Sequence, residues 1–318
     1  MPPEAGLLLA LVAAGGIVAG WLFVKRPLEV FAWFARRALL KAGLKKVVVA
    51  APAGPQTAFV GGSGPMLVLL HGVGDNAGTW FHVVRSLAAR YTLVIPDLAG
   101  HGESAPAAGP IPFADLFGGI EAVVGQQAGS ERVTLVGNSL GAWIAMVFAA
   151  RHPGSVERVV AVNGGPLMGS GGGPSLLPKT REEARDAMAR LRDRGSPAVP
   201  PNVLDDMVRR SPTGPIARFM GTAASMGPWL FNEVQLRAIA LPVRLVWGVS
   251  DGLFPLDYAR RMQALLPDVE LIPVERCGHI PQQEAPDRFL PALLKALGDA
   301  PAPSQKPATG SNAKGQLR

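Results

Sequence analysis

Short runs of consecutive apolar residues alternate with longer amphipathic stretches from Val47 to Leu297. The apolar runs predict strands at Val47–Ala50, Thr57–Val60, Met66–Leu70, Tyr91–Ile95, Arg132–Val136, Val156–Val162, Val243–Trp247 and Val269–Val274. Helical periodicity fits Asn76–Arg90, Phe113–Ala128, Ala142–Ala150, Leu256–Leu266 and Pro286–Leu297. Strands that are apolar along their whole length are buried on both faces, and their alternation with helices specifies a mainly parallel sheet covered on both sides. The expected fold class is therefore α/β.

Residues 164–240 interrupt this alternation. They open on Gly164-Gly165-Pro166 and Gly169–Gly173, and continue with helical patterns at Thr180–Arg194, Val203–Arg210 and Pro215–Met226, separated by prolines. The stretch reads as a helical cap with a glycine hinge, inserted into a core made of residues 47–163 and 241–298. Met168, Leu176, Leu177, Phe219, Met220, Met226, Trp229 and Phe231 give it an apolar stock. Most of these side chains are expected to pack the cap on the core, and a few to line a pocket.

The N-terminal pattern is different. Ala5–Val24 is an uncharged apolar run of twenty residues, ended by Lys25-Arg26. At about 1.5 Å per residue it is long enough to cross a hydrocarbon core. A cleaved signal peptide would carry positive charge ahead of the run, and Met1-Pro2-Pro3-Glu4 carries none. Residues 1–26 are therefore read as a retained anchor, and export after cleavage is the alternative. Positive charge after the span places the rest of the chain in the cytoplasm. Gly16 and Gly20 are read only as small membrane residues. Pro27–Lys46 reads as a basic amphipathic helix suited to lie along anionic headgroups, with Leu28, Phe31, Phe34 and Ala35 at helical spacing. On this reading, removing residues 1–46 would release an active soluble domain.

Charge follows the same division. The net charge is +7, and seven Lys/Arg against the single acid Glu29 in residues 25–46 account for most of it. The basic character is local, which points to a membrane surface and not to a nucleic acid. A composition 48% hydrophobic and 17% charged excludes disorder for most of the chain, although residues 299–318 read as a disordered tail. Cys277 is the only cysteine, so no intrachain disulfide can form.

Candidate chemistry gathers at the ends of the predicted strands. Gly137-Asn138-Ser139-Leu140-Gly141 lies between a strand and a helix, the context of a nucleophile elbow. The Leu140 N–H begins the following helix and suits an oxyanion. His71-Gly72-Val73-Gly74 follows the Met66 strand and can offer Val73 N–H as a second donor, with His71 bracing the loop. Asp97–Ser104 reads as a structural turn. Asp251 follows the Val243 strand, and His279 follows the last strand 28 residues later, so both return to the same sheet edge. Asp257 is the fallback acid.

The order Ser139, Asp251, His279 resembles that of the α/β-hydrolase superfamily, and the likeness covers about Val47 to Leu297. Membrane-anchored, capped monoacylglycerol-lipase-like esterases are similar. So are the meta-cleavage C–C hydrolases, through Gly137-Asn138-Ser139 and Cys277-Gly278-His279 with Glu284 after it. Two departures stand out: Val73-Gly74-Asp75-Asn76 replaces the Gly-Pro-Gly oxyanion loop of the C–C enzymes, and Ala142 stands where a second glycine is frequent. The resemblance implies a catalytic triad of Ser139, Asp251 and His279, oxyanion donors at Val73 and Leu140, and an acyl-enzyme route through esters of apolar, lipid-like substrates such as acylglycerols. C–C cleavage is the alternative, and a catalytically idle, membrane-tethered binding protein is the alternative of another class. No metal or cofactor is implied. The sequence leaves the acyl-chain length and the oligomeric state open.

Overall fold

The computed structural model describes residues 20–168 and 176–299. Its frame is an eight-stranded sheet: β1 (Lys45–Val49), β2 (Gln56–Gly62), β3 (Met66–Leu70), β4 (Thr92–Pro96), β5 (Val133–Asn138), β6 (Val156–Val162), β7 (Val243–Gly248) and β8 (Val269–Val274). The spatial order is β1-β2-β4-β3-β5-β6-β7-β8. β1 and β2 pair antiparallel, as do β2 and β4, and all other neighbours run parallel. The register aligns Leu70 with Gly137, Gly137 with Ala161, and Val162 with Val246. The loops leaving these strands therefore emerge side by side.

The helices are α1 (Pro27–Lys41), α2 (Val84–Ala88), α3 (Phe113–Ala128), α4 (Leu140–Arg151), α5 (Arg181–Leu191), α6 (Pro201–Arg210), α7 (Pro215–Met220), α8 (Glu233–Arg237), α9 (Leu256–Leu265), α10 (Pro281–Glu284) and α11 (Pro286–Leu297). Strand residues alternate between two apolar layers. Val68 and Leu70 face a layer formed with α3, α4 and α9, while Leu67 and Leu69 face one formed with α1, α2 and α11. α4 is buried nearly all round, as expected of a uniformly apolar helix. α5 to α8 lie in the insertion between β6 and β7.

Several elements differ from the sequence reading. The helix expected at Asn76–Arg90 is a 3-10 turn, Ala77–Trp80, followed by the short α2. Asn76 caps the turn by accepting from Gly78 N at 3.0 Å. Gly78 also lies against α1, where an added Cβ would stand 2.8 Å from Ala35 Cβ. The helix expected over Pro215–Met226 ends at Met220, because Gly221 follows and the chain breaks into 3-10 turns. α8 was not anticipated; Asn232 and Gln235 start it with a capping box.

The amphipathic N-terminal helix exists but is shorter than expected and is built into the domain. It ends at Lys41, Gly43 turns the chain at φ +92°, and Lys45-Lys46 already belong to β1. Ala35 and Leu39 are buried in the core, and Arg36 bonds Asp97. Asp206 of α6 caps the helix from outside, accepting Leu28 N–H at 3.1 Å, and Arg209 pairs with Glu29. The sheet thus does not lie wholly beyond residue 46, the premise on which removal of residues 1–46 is expected to be harmless. Residues 20–25 are helical, but the rest of the expected membrane run, the glycine hinge at 169–173 and nearly all of the tail lie outside the described residues. No helix among the described residues is long and apolar enough to cross a membrane.

Candidate active site

Ser139 sits at the turn from β5 to α4 with φ 55° and ψ −114°, a conformation that a side chain rarely adopts. The neighbouring glycines make the turn possible. A Cβ at Gly137 would lie 2.2 Å from Gly141 C, and one at Gly141 would lie 2.3 Å from Leu70 O. The turn is held by Ser139 N–H donating to Val162 O at 2.9 Å.

Asp251 and His279 are brought together from loops 28 residues apart: His279 Nδ1 stands 2.8 Å from Asp251 Oδ2, with both side chains buried. Asp251 accepts three further hydrogen bonds, from Asn163 Nδ2 at 2.7 Å, Leu253 N at 2.8 Å and Phe254 N at 3.0 Å. With the carboxylate so fixed, the imidazole orientation is fixed too. Phe254 stacks on the ring at 5.8 Å between centroids. Ser139 and His279 line the same small space. Asp257, the fallback acid, is exposed and pairs with Arg260.

Of the two expected oxyanion donors, Val73 lines this space and Leu140 directly follows Ser139. Leu140 N–H is the first of α4 and has no acceptor within the helix. Val73 is half-buried in the loop after β3 and lines the space with Ser139. The loop runs close: a Cβ at Gly72 would lie 3.3 Å from Ser139 Cβ. His71 braces it, as expected. Its Nδ1 donates to Gly72 O at 2.8 Å while Leu98 N–H donates to Nε2 at 2.9 Å, which assigns the tautomer. Burial lowers its pKa to about 4, so the ring is neutral. The Asp97 turn is structural in the same sense: its carboxylate accepts from Ala77 N and Glu103 N.

Around Ser139 lies a space of about 90 Å³ lined by Leu176, Leu191, Met207, Ile216, Leu253 and Ile280. Most of these walls continue into an adjoining cavity of about 510 Å³, which adds Leu177 and Arg210 of the insertion and the inner face of α1. Of the apolar residues expected in the insertion, Leu176 and Leu177 line these spaces. Phe219, Met226 and Phe231 are buried against the core, Trp229 packs on it, and Met168 and Met220 are exposed. Asp75, also on the wall, is pushed up to about 6 by burial. Burial of the Cys277 thiol pushes it up to about 12. Among the described residues no cluster of His, Cys, Asp and Glu could hold a metal ion.

Sequence reasoning missed the supports. Asn163, at φ 49°, bonds both Asp251 and Gly248 N. Asn138 donates to His279 O at 2.9 Å and accepts from the fully buried Gln282. Glu284 accepts Gly278 N–H at 2.6 Å, holding the residue before His279, and bonds Asp193 N and Ser196 Oγ of the insertion. Asn163-Gly164 directly after a strand was the available signal for the first, since asparagine tolerates a left-handed backbone.

A sequence model of the alpha/beta hydrolase family matches residues 67–292. The chain belongs to that family. This hydrolase is 31% identical over 273 residues to an uncharacterised protein of Mycobacterium tuberculosis, covering 77% of this chain and 79% of the relative. It is 30% identical over 257 residues to a 2-hydroxy-6-oxononadienedioate/2-hydroxy-6-oxononatrienedioate hydrolase of Paraburkholderia phymatum, covering 73% and 86%. Among solved structures, the hydrolase resembles a membrane phospholipase A described as a bacterial virulence factor, with a TM-score of 0.71 and 24% identity over 92% of this chain and 98% of that one. It also resembles a carboxylesterase of Bacillus subtilis, with a TM-score of 0.64 and 20% identity over 84% and 98%. At such identities the structural likeness speaks to the fold.

Proposed function

We propose that this enzyme is a serine esterase that cleaves carboxylic esters of apolar, lipid-like substrates. The observation that carries the reading is the buried His279–Asp251 hydrogen bond of 2.8 Å, with the imidazole facing the space that Ser139 lines. Ser139 Oγ attacks the ester carbonyl as His279 Nε2 takes its proton. Leu140 and Val73 N–H groups hold the oxyanion. The tetrahedral adduct collapses, and the leaving alcohol departs with the proton from His279. Water, deprotonated by His279, then attacks the acyl-enzyme and frees the acid and Ser139. Asp251 keeps the imidazole oriented and stabilises its charged form.

The apolar lining around Ser139 supports a lipid-like acyl group. A membrane setting is supported by the uncharged run in residues 5–24 and by the outer face of α1, where Trp33 is 52% and Phe34 60% exposed beside Arg37 and Lys41. Tryptophan with flanking cations suits a headgroup layer, with the enzyme on the cytoplasmic side and the insertion acting as its cap. Rapid labelling by a fluorophosphonate, lost in Ser139→Ala, together with turnover of p-nitrophenyl esters and monoacylglycerols, is the expected result. No labelling would leave a binding protein on this fold. Turnover of a 2-hydroxy-6-oxo-dienoate without ester hydrolysis would replace the esterase with a C–C hydrolase.

A further inference from the structure

The notable feature of the 510 Å³ cavity is that its wall comes partly from the very start of the described chain. Leu28, Ala32 and Arg36 recur every four residues along α1 and form one stripe, and all three line the cavity. Phe31 lines it too and is held edge-on by Phe81, with ring centroids 5.8 Å apart. The next stripe, Ala35 and Leu39, is locked in the core, so α1 cannot turn away from the cavity without unpacking it. Across the cavity stand Met207 and Arg210 of α6, the helix whose Asp206 caps α1. The cavity and the space around Ser139 share six apolar residues, Val73, Leu176, Leu191, Met207, Ile216 and Ile280, and the carboxyl of Asp75.

From this continuity we infer that α1 is a specificity element: Leu28, Phe31 and Ala32 form the outer wall for the hydrocarbon chain of the substrate whose carbonyl lies at Ser139. The inference rests on the esterase reading and names what sets chain length within it. The volume lies within the roughly 300–1,000 Å³ typical of small-molecule sites. The inner space alone, about 90 Å³, takes a short acyl group, and a longer chain has to extend beneath α1. The insertion therefore supplies only one side of the specificity pocket. The other side is the helix whose outer face carries Trp33 and Phe34.

The test uses the full chain with two substitutions of opposite sign. Ala32→Trp fills the cavity beneath α1, and Leu28→Ala widens it. With p-nitrophenyl acetate, octanoate and laurate, Ala32→Trp is expected to lower kcat/KM for laurate about tenfold relative to acetate, the effect of excluding about two methylenes. Leu28→Ala is expected to raise laurate relative to octanoate. In parallel, binding of a fluorescent dansyl-undecanoic acid, which needs no turnover, should weaken in Ala32→Trp by a similar factor. Equal changes for all three esters, together with unchanged probe binding, would overturn the inference. If Ala32→Trp does not fold, an unchanged chain-length optimum and unchanged probe binding in Leu28→Ala would overturn it alone. A wild type that turns over no ester but binds the probe more weakly once Ala32 is Trp would overturn the esterase reading and leave the wall assignment standing.

Discussion

The Leu191 carbonyl oxygen accepts a hydrogen bond from the His279 backbone N–H at 2.8 Å. The preceding carbonyl, Arg190 O, accepts Gly252 N–H, also at 2.8 Å. The last carbonyls of a helix have no partners within it. Here, those of α5 are used to fasten the loops that carry Asp251 and His279, so the insertion is tied directly to the proposed acid and base. A Cβ at Gly278 would lie 2.3 Å from Leu191 O. Gly278→Ala should therefore push the His279 loop off α5 and lower kcat by about 10²-fold, because small misplacements of catalytic groups are costly. Unchanged ester turnover in that variant would show that the fastening is not needed.

Ser139→Ala should cut ester turnover by several orders of magnitude, about 10⁴-fold or more, with the fold intact by circular dichroism. Retention of a tenth of the wild-type rate would remove Ser139 from the nucleophile role.

Asp251→Asn should cost about 10⁴-fold in kcat, since an amide in the place of Oδ2 misorients the imidazole. Asp257→Asn should stay within about twofold of wild type, because Asp257 reaches only Arg260. The reverse ranking in a kcat/KM comparison would move the acid to Asp257.

Acid should destabilise the protein through two histidines on the oxyanion side of the sheet. Burial lowers His71 to about 4 and His101 to about 3, against an ordinary value of 6.5. Between those values and 6.5 the unfolded chain binds protons that the folded chain does not. Stability is therefore full above about pH 6.5 and falls as pH drops towards 4. Each histidine should cost about 1–2 kcal/mol between pH 7 and pH 5. Urea unfolding at the two pH values measures this. His101→Asn, which keeps a donor for Ala99 O, should flatten the dependence; an equally steep profile in the variant would clear His101.

Removal of residues 1–46 should leave an unstable, inactive chain. Leu39 and Leu44 are buried, and their loss alone forfeits about 3–6 kcal/mol, comparable with the roughly 5–15 kcal/mol of a typical domain. The deletion also removes Lys45 and Lys46 from β1. A soluble, active product from this truncation would contradict the packing of α1.

The sheet was legible because its central strands are apolar on both faces, a pattern that survives without tertiary information. The elbow was legible because its Gly-x-Ser-x-Gly pattern is local: Gly137 is demanded by Gly141 and Ala142 just beyond it, although Gly141 itself answers to Leu70 O of β3. Apart from the local capping box of α8, most of what escaped the sequence depends on partners far along the chain. Asn76 was taken for a residue within a helix, but its side chain caps a 3-10 turn whose Gly78 packs on Ala35. Asn163, Asn138, Gln282 and Glu284 are polar residues whose partners are loops brought in by the fold, so no spacing announces them. The spacing of Leu28, Phe31, Phe34 and Ala35 among basic residues predicts a surface helix, and the inward stripe of α1, Ala35 and Leu39, carries too few large apolar residues to betray the docking.

The bond between Leu28 N–H and Asp206 joins positions 178 residues apart. A ribosome adding about 5–20 residues per second needs roughly 10–35 s to pass from one to the other. Throughout that interval the helix lacks its Asp206 cap, although the partners of Leu39 in the core, Phe59, Leu67, Leu69 and Trp80, are made early in it. The cap is thus the last contact that α1 can gain, and a chain cut short before residue 206 would carry the helix docked but open at its first turn.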